Sequence, residues 1–188
     1  MFVLACALFS ALYCNGQRTI TFEGPPLPPP GTSYLETNYL ENGTSLTGFF
    51  APNGGGIPGM PDNGTAYVQG SFGDAASFAF INGTHFGLLL VDLAGYSDVV
   101  PDFSATFIGY LAGGSTVTTN FSGTGLNFQT FYFGQEFSGL IRAEIPPDVT
   151  GWSLDNLRMG VPEPSSCALL LGGLSVFAFS RATSHFRF

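Results

Sequence analysis

The chain has 188 residues, thirteen acidic against five basic side chains, no lysine, and a net charge of −8. That balance excludes the basic footprint by which a protein neutralises phosphates, so no nucleic-acid partner is expected. Charged residues make up only 10%, while 26 glycines, 13 prolines and 20 phenylalanines suit an exported β-rich domain and exclude disorder.

Residues 1–14 form an uncharged apolar run, and Asn15-Gly16 follows ahead of Gln17 and Arg18. This reads as a signal peptide over residues 1–16, with a buried core strand as the alternative. Cys6 and Cys14 fall inside it, and the third cysteine, Cys167, lies near the other end. The intervening domain therefore has no thiol, and its core has to hold it, alone or with a metal.

Residues 17–160 read as one domain of short strands separated by turn residues. Residues 19–23 alternate apolar with polar, and the proline-rich 24–31 then carries the chain away in extended form. Further strands are expected at 45–50, 65–69, 77–81, 86–93, 104–111, 115–122, 129–133, 139–145 and 152–159. Thr116, Thr118 and Thr119 favour a strand backbone through their branched Cβ. No helical stripe interrupts the pattern. It predicts an all-β fold, a β-sandwich of jelly-roll type.

Asn-Gly-Thr recurs at Asn42, Asn63 and Asn82, where Asn-Gly supplies the positive φ angles of a type I′ turn. Together with Asn120-Phe121-Ser122 these are also N-glycosylation sequons, which is the alternative reading. Residues 53–64 hold so much Gly and Pro that they are expected to form a loop, either ligand-binding or filler.

Candidate catalytic chemistry is thin. His85 is the only histidine ahead of the last 28 residues, and no Gly-x-Ser-x-Gly elbow accompanies it. It is expected to face solvent from a strand. Gly54-Gly55-Gly56 has no following lysine and is no phosphate loop. Paired carboxylates could cleave a polysaccharide, but sequence does not set their separation. No catalytic residue is assigned, and the chain is not expected to be an enzyme.

The last 28 residues are the most informative. Val161-Pro162-Glu163-Pro164 precedes an uncharged run with a Gly pair at about 166–180, followed by Arg181 and Arg187. The prolines keep the segment before the run extended, and the arginines suit a cytoplasmic stop-transfer end. The run is short for a membrane span of about 20 residues. In motif order the tail resembles the PEP-CTERM sorting signal of Gram-negative bacteria, although a tight Arg cluster is usual there and this one is sparse. The resemblance implies a short C-terminal transmembrane helix, an exosortase-like membrane enzyme as processing partner, and export through the inner membrane to the cell surface or beyond. An ordinary C-terminal membrane anchor is the alternative, and a eukaryotic GPI-anchored glycoprotein a further one.

Thr21–Gly24, Val91–Ala94 and Trp152–Leu157 together resemble, loosely, the exported jelly-roll domains found ahead of that signal, which are related in shape to carbohydrate-binding modules. This resemblance implies adjacent first and last strands and a structural calcium ion held by Glu23 and Asp155, with backbone carbonyls completing the shell. Sugar modules also stack rings on exposed aromatics, for which Trp152, Tyr96, Tyr110 and Tyr132 are candidates. The expected function is a non-enzymatic surface or matrix protein associated with exopolysaccharide or biofilm. The alternatives are a non-catalytic carbohydrate-binding module and a polysaccharide-cleaving enzyme.

Overall fold

A computed structural model describes residues 15–24, 29–33, 35–70, 75–147 and 150–162. Residues 1–14 of the expected leader, Glu163, Pro164 and the apolar run of the tail lie outside the described residues, while Asn15 and Gly16, the leader's expected last two residues, belong to the first strand. Among the described residues no helix is long and apolar enough to cross a membrane. Residues Gln17–Val161 group into one compact unit.

The hairpin between β2 (Glu36–Glu41) and β3 (Thr44–Asn53) shows how local chemistry builds the strands. Asn42 and Gly43 have φ of 50° and 75°, the mirror-image turn that matches strand twist, and Thr44 opens β3 as expected. At the other two Asn-Gly-Thr sites only the glycine is left-handed, with φ of 83° at Gly64 and 69° at Gly83. Those sites are not two-residue I′ hairpins. β2 itself was not legible as a strand, because its burial pattern hides little besides Tyr39.

β3 is the corner of the molecule. Its first half, Thr44 to Gly48, pairs with β5 (Ala76–Phe80), and its second half, Phe50 to Asn53, pairs with β4 (Tyr67–Gly70). Gly48 stands where the partners change, at φ 119°, and a Cβ there would run into the Ala75 carbonyl oxygen. Only glycine meets both demands.

Two antiparallel sheets diverge from this corner. One runs from β8 (Thr116–Thr124) through β7 (Asp102–Leu111), β10 (Leu140–Ile145) and β5 to β3, with β2 on β3. The other runs from β3 through β4, β11 (Trp152–Pro162) and β6 (Gly87–Gly95) to β9 (Gln129–Tyr132). β1 (Asn15–Ile20) pairs with β11, so the first and last strands are neighbours. Among the described residues there is no α-helix, only a 3-10 turn at Gln135–Phe137. The architecture is a β-sandwich.

Aromatic rings fill the space between the sheets. β7 turns Phe103, Ala105 and Phe107 inward, while Ser104 and Thr106 alternate outward. Phe107 meets Phe133 edge-on with centroids 5.0 Å apart, and Phe103 meets Phe131 at 6.0 Å, so both pairs tie the first sheet to the chain of β9. Phe103 and Phe107 are fully buried, and each contributes about 2–3 kcal/mol over its exposed state. Trp152 is part of this core at 3% exposure, with its indole where a Gly70 side chain would otherwise stand. It is therefore not the exposed sugar platform expected from its residue type.

Phe22 follows β1 in the left-handed region, at φ 59°, with its ring buried. A bulky residue rarely adopts that conformation. Glu41 holds it there. Its carboxylate accepts the Thr21 N–H and hydroxyl at 3.1 and 3.0 Å, the Phe22 N–H at 2.8 Å and the Tyr39 hydroxyl at 2.9 Å. Burial, and then the Glu41 carboxylate, push the Tyr39 phenol well above its ordinary pKa, so it stays a neutral donor.

Candidate functional site

The register of three strands lines up polar groups that are far apart in sequence. Asp155 on β11 stands opposite Asp92 on β6, and Asp92 stands opposite Thr130 on β9. Directly opposed residues share a face of the sheet. Val91, Leu93 and Leu154 fill the core side, so this row lies on the outer face.

Asn156 joins the two acids. It sits at φ 48°, where the β11–β6 register shifts between Asp155 and Arg158. Such a bulge re-aims side chains, and asparagine tolerates the left-handed conformation better than most residues. Its backbone N–H donates to Asp155 Oδ1 at 2.7 Å, and its Nδ2 donates to Asp92 Oδ2 at 2.9 Å. Thr130 Oγ1 donates to Asp92 Oδ1 at 2.6 Å.

The Gly/Pro-rich loop closes over one end of the row. Asn63 Nδ2 and Thr65 Oγ1 donate to Asp155 Oδ2 at 2.8 and 3.0 Å, and Glu23 accepts the Ala66 N–H at 2.6 Å. Further along, Gln69 Nε2 donates to Ser153 Oγ at 3.1 Å and to the Tyr96 carbonyl at 2.7 Å, while Asn53 Nδ2 donates to Gln69 Oε1 at 3.3 Å. The Asp98 N–H donates to the Gly59 carbonyl at 2.8 Å. The loop is fastened by side chains at several points and is not loose filler. The nearby Tyr67 hydroxyl is buried and has no hydrogen-bond partner among the described residues, at a cost to stability.

Asp155 has no solvent exposure. Burial pushes its carboxyl up to about 6 from an ordinary 3.8. The hydrogen bonds from Asn63, Asn156 and Thr65 oppose that shift, and Asp92 across the ladder adds to it. Desolvation outweighs these three donors, and among the described residues no cation stands beside the charge to compensate it.

The next row on this face runs Arg158, Leu90, Tyr132. Arg158 is exposed, Leu90 half-buried, and the Tyr132 ring 72% exposed. A flat aromatic and an aliphatic side chain thus lie beside Asp92, a half-buried carboxylate with one acceptor position left on each oxygen.

The expected site residues are partly brought together. Glu23 and Asp155 converge on one stretch of loop, Asn63 to Ala66. Tyr96 is half-buried with its ring against Gly151, and Trp152 is in the core, so neither offers an open ring. Tyr110 lies on the outside of the other sheet beneath the Arg142 guanidinium, 3.9 Å from its ring centre. His85 is exposed, in the connection before β6 and not in a strand. Of the sorting motif, Val161 packs against the core and β11 ends at Pro162. Glu163 and Pro164 lie outside the described residues.

The donors around Glu23 and Asp155 also test the expected calcium. Among the described residues the hydrogen bonds of these carboxylates all come from N–H or O–H groups, and no three His, Cys, Asp or Glu side chains converge. Calcium takes six to eight oxygen ligands. Glu23 and Asp155 together could supply at most four of these.

Thr130, Asn63 and Thr65 were not expected at the site, while Asp92 and Asn156 lay in the stretches singled out there without a role of their own. Asp155-Asn156 gave one signal, since two polar residues in succession break the alternation of the last strand.

No family model matches the chain, and no curated protein matches it. Two solved structures are similar in outline. One is the Clostridium thermocellum endo-1,4-β-D-xylanase 10B CBM22-1–GH10 modules complexed with xylohexaose, at 11% identity, TM-score 0.40, and 76% of this chain against 28% of that one. The other is the enzymatically active domain of tailspike protein 4 from bacteriophage CBA120, at 14% identity, TM-score 0.32, and 73% of this chain against 20% of that one. The chain spans under a third of either.

Proposed function

We propose that this protein is an exported, non-catalytic, polysaccharide-binding β-sandwich of jelly-roll type, sent to the cell surface by its C-terminal signal. The observation that carries the binding reading is Tyr132, whose exposed ring stands one row from Asp92, Asn156 and Thr130 on a single sheet face. A sugar presents an apolar ring face edged by hydroxyls. An aromatic ring matches the first, and carboxylate and amide groups match the second.

The reading is non-catalytic because the best-placed carboxylates are not open as a pair. Asp155 is buried under the loop, and both Asp92 oxygens accept hydrogen bonds from Thr130 and Asn156. A general acid and base pair would need two carboxylates open to the same glycosidic oxygen.

Export rests on the tail and on the apolar leader, in keeping with a domain whose chain from Gln17 to Val161 contains no cysteine. The partners implied are an exosortase-like processing enzyme and an exopolysaccharide. A screen of the purified protein on immobilised polysaccharides, with product analysis in parallel, tests the proposal. Retention without released sugar supports it. Released oligosaccharide contradicts it, and no retention on any polysaccharide leaves a structural matrix protein as the better reading.

A further inference from the structure

Edge strands present unpaired backbone N–H and C=O groups, and natural sheets blunt them by shortening, charging or bulging them. The edges of this sandwich differ sharply in that respect. β9 is only four residues long. β2 carries Glu36 and Glu41 and breaks register against β3 between Glu36 and Asn38. β8 has none of these devices. It is nine residues long, Thr-Val-Thr-Thr-Asn-Phe-Ser-Gly-Thr, without charge, proline or bulge, and it pairs with β7 in unbroken register from Asp102↔Thr124 to Tyr110↔Thr116. Among the described residues no second strand pairs with it, and the Gln129 side chain caps only its far end, donating to the Thr124 carbonyl at 3.0 Å.

We propose that the free edge of β8 pairs antiparallel with the β8 of a second copy, making one sheet continuous across two molecules. The sequence of the strand is complementary to itself about Asn120. In that register Thr116 opposes Thr124 and Thr118 opposes Ser122 on the outer face, where hydroxyl pairs stabilise antiparallel neighbours. On the inner face Phe121 opposes Thr119 and Val117 opposes Gly123, so a larger side chain meets a smaller one each time. Phe121 is only half-buried within one molecule and stacks on Phe131 at 5.0 Å, so the second copy extends an existing aromatic layer.

Charge decides between a copy and a foreign strand. Two molecules of net charge −8 repel, and an uncharged edge lets them meet without like charges in opposition. A strongly basic partner would instead be expected to find acidic residues on the strand, and β8 has none.

Cysteine cross-linking reads the register directly. In the full chain with Cys6, Cys14 and Cys167 replaced by serine, Asn120→Cys places two thiols opposite each other across the two-fold. Their Cα atoms would be about 4.5–5.5 Å apart, within reach of a disulfide. Thr118→Cys and Ser122→Cys face each other but not themselves. Under mild oxidation Asn120→Cys is expected to give about ten-fold more dimer than either single variant, and a mixture of the other two to give the heterodimer. Circular dichroism confirms that each variant is folded, since all three positions are exposed. Asn120→Cys remaining monomeric while folded overturns the proposal, including when an added protein protects the edge. Equal cross-linking at all three positions also overturns it, because that is random collision.

Discussion

Asp155 and Asp92 face each other across the β11–β6 ladder, and Asn156 spans them, its backbone bonded to one carboxylate and its side chain to the other. Opposed like charges destabilise a sheet. Here the cost is contained by amide and hydroxyl donors and by one acid's raised affinity for a proton.

That proton gives stability a pH dependence. Asp155 titrates near 6 in the folded chain against 3.8 ordinarily, so the folded state binds more protons than the unfolded state between those values. Stability from this group therefore falls as pH rises from about 4 to 6 and is lower by roughly 3 kcal/mol above that window. Denaturant titrations at pH 4.5 and 7 check the sign. Asp155→Asn should flatten the slope, and an undiminished slope would assign the dependence to another group.

The loop should be no more stable than its fastenings. Asn63→Ala and Thr65→Ala each remove a donor to the buried Asp155 carboxylate and should cost about 1.5–3 kcal/mol. Hydrogen exchange at the Asp98 amide, which the loop's Gly59 carbonyl protects, should accelerate in both. Unchanged exchange would mean that the loop is held elsewhere.

Glu41 secures the left-handed Phe22. Glu41→Ala leaves the Thr21, Phe22 and Tyr39 donors without their acceptor and should lower stability by roughly 2–4 kcal/mol. Glu41→Gln keeps an acceptor and should cost less. Thermal melts of the two variants give the comparison, and equal losses would contradict an acceptor role.

Calcium should leave the melting midpoint where chelator leaves it, because N–H and O–H donors occupy both oxygens of Asp155 and Oε1 of Glu23. A midpoint raised by several degrees in calcium would show that those donors give way to the ion.

Much of the fold was legible because its strands alternate cleanly, as Phe103 to Tyr110 do, and alternation reports directly which face meets the core. β2 was not, since a strand that buries mainly Tyr39 carries almost no pattern. The first strand ends earlier than its alternation suggested, because Phe22 leaves the β region under the pull of Glu41. The site was less legible. That Asp155, Asp92 and Thr130 form one row follows from the register of three strands, which no local spacing encodes. Asn63 looked like a turn residue because its tertiary partner, Asp155, lies 92 positions away. Trp152 looked like a platform because its type suggested one, and only the approach of Gly70 placed it in the core.

The most direct test of the binding face compares two tyrosines on opposite sides of the sandwich. Tyr132 stands on the β6–β9–β11 face, while Tyr110 lies outside the other sheet under Arg142. Affinity electrophoresis in whichever polysaccharide retains the protein should show Tyr132→Ala weakening binding about ten-fold, or about 1.4 kcal/mol, with Tyr110→Ala unchanged. Retention undiminished in Tyr132→Ala, or lost equally in both variants, would contradict the assignment of this face.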